Sequence, residues 1–350
     1  MNTRPSASPP CRRTVCGFSL IELLIAVLIA VLSMLVIMET FIATEGRKRT
    51  IANGGDSQIN GTFALASLRH EIQYSGFGVS AFNLLACNLL LRTGVTLDNL
   101  GPTTINHPSI PAGDADTDTL LVVYGNGNGS TEGDGIITKG SLSYTVQTPS
   151  SFFLSERVVA MPTLRPTPCN LVLETIAGIN TNVLTITTAP GVTKGTLYNL
   201  GPSPTVQVYA IRSGTLTVCD FTVSNCALTT KTNDPTVWIP LVRNIVGLRA
   251  QYGRDTTSPA MDGIADVYDQ TTPAVQCGWA RTTAVRLVIV ARSHQPEREA
   301  VTAASPTWAG SGTHAIDLSA GTDWNDYRYK TYETTIPLRN ILLLGVQPEC

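Results

Sequence analysis

Residues 17–32 read GFSLIELLIAVLIAVL, an apolar run with a single carboxylate near its start. The run continues to residue 42, broken only by Glu22, Glu39 and a few small polar residues. Residues 23–38 carry no charge at all. About 20 apolar residues suffice to cross a bilayer as a helix, so residues 18–38 are just long enough. Glu22 is the anomaly. A soluble core helix does not need a carboxylate there, and an ordinary membrane anchor excludes one.

Upstream, residues 1–16 are polar and hold Arg4, Arg12 and Arg13 with no acidic residue. Basic residues before a span favour a cytoplasmic N-terminus. Arg47, Lys48 and Arg49 follow the span and weaken that orientation signal. A secretory signal peptide needs a short apolar region and a small-residue cleavage site, and neither is evident here. Arg12 and Arg13 offer a twin-arginine reading, but such a pair is common by chance. A lipoprotein cysteine belongs after the apolar region, whereas Cys16 precedes it. A cut before the run, leaving the helix on the mature protein, is the remaining reading.

Beyond the span the pattern changes twice. Leu65, Leu68 and Ile72 recur at three- and four-residue steps, extending a one-sided helix to about residue 75. Gly54 and Gly55 offer a loosened point or kink within it, and Gly76 and Gly78 an end. After residue 80, short β-type runs take over: TLLVVYG (119–125), NLVLETIA (170–177), NVLTITTA (182–189) and TAVRLVIVAR (283–292). Residues 205–221 read as a hairpin turning at Ser213 and Gly214. Six of the eight cysteines lie beyond residue 80, which fits three disulfides in an oxidising compartment. A local Cys219–Cys226 bridge is one reading, and the other pairings stay open.

Motifs for chemistry are mostly declined. The glycines of YGNGNGSTEGDG (124–135) precede another strand, not the helix a dinucleotide loop must open. Asp114, Asp116 and Asp118 alternate as at the start of an EF-hand, but the sixth and twelfth positions, Thr119 and Gly125, are wrong. Asp255, Asp262, Asp266 and Asp269 cluster in one loop. The first three are calcium candidates, set against a polar hairpin tip with Asp-Gly as turn residues. His70, His107, His294 and His314 sit beside no nucleophile and in no metal motif. A net charge of −2 with dispersed Lys and Arg gives no support for nucleic-acid binding. No catalytic constellation stands out, and no cofactor is expected beyond calcium as the one candidate.

The order short basic leader, Gly17, Phe18, then Glu22 inside a long apolar helix resembles the cleavage motif of type IV prepilins. LASLRHEIQYSGFG (65–78), DADTDTLLVVYG (114–125), residues 240–268, WARTTAVRLVIVARS (279–293) and YRYKTYETTIPLRN (327–340) resemble, in that order, the PilW-type minor pilins. Residues 126–200 resemble no family segment. The resemblance implies an α+β, type IV pilin-like fold: a long N-terminal helix, hydrophobic then amphipathic, packed on a large antiparallel β-rich domain. It implies a leader at 1–17, a helix at 18–76 with its transmembrane part at 18–42, and a periplasmic domain at 77–350. Prepilin peptidase would cut after Gly17 and methylate the amine of Phe18, with Arg12 and Arg13 as leader basic residues.

Assembly into a pilus, with twitching motility and adhesion as its outcomes, is the function so implied. The partners implied are other minor and major pilins, a pilus-tip adhesin and the inner membrane. A carboxylate in a membrane helix costs about 2.5–3.5 kcal/mol on insertion scales, so it needs a partner. The Phe18 amine of a neighbouring subunit is one, and snorkelling of Glu22 to the headgroups is the alternative. A secretion pseudopilin, and a membrane-anchored periplasmic enzyme or binding protein, are the competing functions.

Overall fold

The computed structural model describes residues 19–188 and 191–350, apart from some side chains between residues 43 and 53. Helix α1 spans Leu20–Tyr74, and its assignment continues unbroken through Gly54 and Gly55. The chain divides into two compact units, one ending at Ala52 and the other formed by Asn53–Cys350.

In the first unit, the segment Leu20–Ile42 is long and apolar enough to cross a membrane, and none of it is buried. Its large side chains are exposed all round, with Leu20 at 78% and Met34 at 68%. A helix apolar on every face needs an apolar surround, and the described residues of this unit supply none.

In the second unit the helix is one-sided. Ala64, Leu68 and Ile72 are fully buried, while Ile59 and Phe63 face out. The four-residue step puts the buried three on one stripe. Gly61 lies against the Tyr332 ring, where a Cβ would come within 2.0 Å, so only glycine lets the helix approach so closely. The chain leaves the helix through Gly76 and Gly78, both at positive φ, and Gly76 N–H donates to the Val123 carbonyl.

The strands, in chain order, are β1 (Asn88–Arg92), β2 (Val95–Leu97), β3 (Thr103–Ile105), β4 (Leu120–Tyr124), β5 (Asp134–Lys139) and β6 (Ser143–Val146). There follow β7 (Arg157–Pro162), β8 (Asn170–Asn180), β9 (Val183–Ile186), β10 (Gly195–Gly201), β11 (Thr205–Arg212) and β12 (Thr215–Asp220). The last are β13 (Ile239–Arg243), β14 (Ile245–Arg254), β15 (Val267–Asp269), β16 (Thr282–Arg292) and β17 (Tyr329–Pro337). Two short helices, α2 (Gln276–Ala280) and α3 (Arg339–Leu342), flank the end of the chain.

Three sheets result. The five-stranded one runs β13-β12-β11-β4-β3 and the four-stranded one β15-β14-β16-β17. Leu120 and Val122 of β4 enter one core with Leu68 and Ile72 of α1 and with Leu248 and Leu287 of the four-stranded sheet. Leu121 and Val123 enter a second core with Leu89 and Val208. Both faces of β4 are therefore covered, which is why its sequence is continuously apolar instead of alternating. The same holds for β16: Val285, Leu287 and Ile289 face the helix-bearing core, while Val288 and Val290 pack on Trp308, Ile316 and Leu318.

The largest sheet contains a ring. Successive antiparallel pairings β8–β7, β7–β10, β10–β5, β5–β6, β6–β9 and β9–β8 close six strands on themselves. Its interior holds Ile136, Tyr144, Val158, Ile176, Leu184 and Leu197. Closure removes open edges. Strands β1 and β2 extend this sheet through β8, and β1–β8 pair in parallel, Asn88 opposite Asn170. That pair departs from the all-antiparallel expectation. The Cys87–Cys169 disulfide lies one residue before the first pair and pins the two strand starts side by side.

The other disulfides are Cys219–Cys226 and Cys277–Cys350. The hairpin at 205–221 forms as read, with Arg212 opposite Thr215. Ser213 and Gly214 both have positive φ, as a two-residue turn matched to strand twist requires.

Candidate functional site at the helix start and the features around it

Glu22 lies in the first turn of α1 and is exposed. The carbonyl of Ser19 accepts the N–H groups of Glu22 and Leu23, so Ser19 stands at the cap position. Ser19 and Glu22 have the S-x-x-E spacing that favours helix initiation, and a carboxylate there also complements the positive helix end. Glu22 thus sits at the one place in an apolar helix where a carboxylate is least costly, and its exposure leaves it open to a second molecule. Gly17, Phe18, Arg12 and Arg13 lie outside the described residues.

The three calcium candidates are each engaged with backbone. Asp255 is buried and accepts the N–H groups of Thr257 and Gly263, with Arg281 Nη1 3.8 Å from Oδ1. Asp262 accepts the N–H of Ile264. Asp266 accepts the N–H and hydroxyl of Thr256, which hold its carboxyl below the usual carboxylate range. These contacts build the loop that leads from β14 to β15. Among the described residues, no group of three or more His, Cys, Asp or Glu side chains is placed to hold a metal ion.

The aspartates of 114–118 also serve the fold. Asp114 receives the N–H groups of Ser213 and Gly214 at 2.8 Å and so caps the β11–β12 turn. Asp118 is buried and accepts from Ala250 N–H, Asn106 Nδ2, Arg249 Nη1 and Gln270 Nε2. A buried carboxylate so supplied with donors costs little and ties the start of β4 to β14.

Two features escaped the sequence reading. Glu174 is buried in β8, and burial pushes its carboxyl up to about 7, an effect offset in part by the hydroxyls of Tyr144 and Thr188. In the sequence it is one polar residue in a strand, which ordinarily marks a solvent-facing position; only ring closure buries it. The other is a cleft beside Arg292, assembled from a β-turn, a strand end and a distant loop. The aromatic run at 324–329 was its only local signal.

The comparisons bear on these features unequally. The family model of Type IV pilus-assembly protein W matches residues 208–340. That span takes in the last five residues of β11 and all later strands, and it ends within α3. It includes neither the closed ring nor α1. No curated protein matches the chain. Among solved structures, a type IV-like pilin from Thermus thermophilus aligns over 54% of this chain and 86% of its own, at 11% identity and a TM-score of 0.22. Over residues 208–340, the hairpin and the whole four-stranded sheet, the chain carries the type IV pilus-assembly protein W pattern that its sequence resembles.

Proposed function

We propose that this protein is a minor pilin that acts in type IV pilus assembly. The match to the Type IV pilus-assembly protein W family over residues 208–340 carries that reading, because it is independent of the N-terminal motif that first suggested it. The helix adds support. Leu20–Ile42 has 23 residues, or about 34 Å at 1.5 Å per residue, which suffices for a hydrocarbon core of about 30 Å. Three disulfides in the second unit fit an oxidising compartment such as the periplasm.

In this reading the chain is held in the inner membrane with the β domain outside the cytoplasm. Prepilin peptidase removes residues 1–17 and methylates Phe18. The new amine then meets Glu22 of an adjacent subunit. Pairing neutralises both charges in an apolar surround, where an unpaired charge is expensive. It also fixes the axial offset between subunits, since each amine precedes its own Glu22 by four residues. Other pilins and a tip adhesin are the partners, and motility and attachment are the outcomes. No cofactor has a role in this scheme.

Mass spectrometry of the mature N-terminus tests it. The wild-type chain should begin at N-methylated Phe18, and Gly17→Ala should leave the leader in place. A wild-type chain that keeps residues 1–17 in a cell with active peptidase overturns the proposal.

A further inference from the structure

The connection from β16 to β17 does more than close the four-stranded sheet. Trp308, Ile316 and Leu318 seal the outer face of β16. Past that seal lies an open cleft of about 420 Å³, bounded by the turn at Ser213 and Gly214, the end of β16 at Arg292 and the segment 317–329. Its volume lies within the range of small-ligand sites.

Arg292 is the unusual residue in this cleft. Its guanidinium stacks 4.6 Å from the Tyr327 ring centre. Its Nε is buried without a hydrogen-bond partner, and the guanidinium makes no hydrogen bond or ion pair among the described residues. Arg212, Arg249 and Arg286 share the buried, unpartnered Nε, but each donates through its Nη atoms, Arg249 to Asp116 and Asp118 and Arg286 to Gln251. Arg212 donates to the carbonyls of Pro111 and Ala112, Arg281 to four carbonyl contacts, and Arg254 to Asp269. A partly desolvated cation with an idle buried donor is costly, and the Nη atoms, which are not buried, leave Arg292 open at the cleft to an acceptor from outside the chain.

The rest of the cleft narrows what that acceptor belongs to. Trp324 is half-buried, and among the described residues neither its indole N–H nor the Tyr327 hydroxyl makes a hydrogen bond. Asp317 and Asp323 are exposed on the rim. Asp317 already accepts the Ser319 N–H, which leaves acceptor capacity on its carboxylate. With Asp114, whose two oxygens accept the Ser213 and Gly214 N–H groups, the lining sets one cation beside three carboxylates, which disfavours a polyanion such as a nucleotide or polyphosphate. It suits a ligand with a single carboxylate, several hydroxyls and an apolar ring face.

We propose that this cleft binds a hexuronate residue of an acidic polysaccharide, with the sugar carboxylate on Arg292, the ring face on Trp324 and ring hydroxyls on Asp317 and Asp323. Arg–carboxylate pairing can be bidentate, which fixes orientation as well as charge. Residues 292–329 and the 213–214 turn form the site whether or not the chain enters a pilus, so it stands apart from the assembly reading.

The test is titration of the full-length chain in detergent micelles with trigalacturonate, followed by tryptophan fluorescence and calorimetry. Saturable binding with a Kd at or below about 1 mM is expected. Arg292→Gln and Trp324→Ala should each weaken it by about tenfold or more, while maltotriose, which lacks the carboxylate, binds at least about tenfold more weakly. Far-UV circular dichroism confirms that each variant keeps its fold. Absence of saturation, equal binding by maltotriose, or undiminished binding by both folded variants overturns the proposal. So does displacement of trigalacturonate by acetate at equal carboxylate concentration, which would mark a simple anion site.

Discussion

Glu174 shows how a single buried carboxyl sets the pH response of a β domain. Its ordinary value is 4.5, and burial raises it to about 7 in the folded chain. Between those values the native state keeps a proton that the unfolded chain has released. Stability therefore falls as pH rises from about 4.5 to about 7, and the full penalty is present above that. A shift of this size corresponds to about 3 kcal/mol. Glu174→Gln should leave stability near pH 4 almost unchanged and raise it by up to about 3 kcal/mol at about pH 8. Urea denaturation at both pH values checks this, and parallel pH profiles for wild type and variant would exclude the burial mechanism. In the proposed assembly scheme Glu22 gives the opposite case, a carboxylate kept for a partner. Glu22→Ala should still insert in the membrane, since removing a charge only favours insertion, but cells carrying it should lose surface pili. Fractionation and electron microscopy separate the two effects, and normal piliation would reduce Glu22 to a helix-start residue.

Helix α1 is one element with two kinds of surface, and both were readable from periodicity. Residues 23–38 lack any polar face, so they announced a span. Leu68 and Ile72 lie four apart and are both fully buried in the core they share with β4 and β16. The strand at 283–292 was legible because it is apolar on both faces, as the structure requires of a strand covered on both sides. Ring closure was not legible. It depends on β8 bending from β7 to β9, with Thr175 opposite Arg157 and Ile176 opposite Ile186, and local pattern carries no record of which distant strand completes a sheet. The parallel β1–β8 pair was hidden for the same reason, as was Arg292, whose cleft needs two loops brought together by that packing. At this scale the expected result concerns the helix face. Leu68→Ala removes a fully buried side chain and should cost about 2–5 kcal/mol. Phe63→Ala, on the exposed side, should stay within about 0.5 kcal/mol. Denaturant unfolding of the two variants checks the assignment; similar losses would mean that the helix does not pack by this stripe.

Across the whole β domain, three cross-links brace segments with few helices to order them. Cys87–Cys169 spans a sequence separation of 82 and Cys277–Cys350 one of 73, whereas Cys219–Cys226 spans only 7. In chain-entropy terms the two long closures contribute about 4.5 kcal/mol each and the short one about 2.5 kcal/mol. The long ones also act at junctions. Cys87–Cys169 holds the parallel strands where the ring meets the rest of the domain. Cys277–Cys350 ties the residue after Gln276 to a terminal residue whose carbonyl also accepts from Arg281 Nε and Nη2. Cys219–Cys226 only closes the turn that follows β12. Cys87, Cys169, Cys219 and Cys226 are all buried, so replacing either pair by alanine leaves comparable packing defects, and the difference reports mainly on loop closure. The Cys87→Ala, Cys169→Ala double variant should therefore be less stable than the Cys219→Ala, Cys226→Ala double variant by about 2 kcal/mol. Urea midpoints with matched m-values measure that difference. Equal stabilities, or the reverse order, would mean that the ring and its neighbouring sheets hold their register by packing alone, with the disulfide at their junction adding no constraint the folded strands do not already impose.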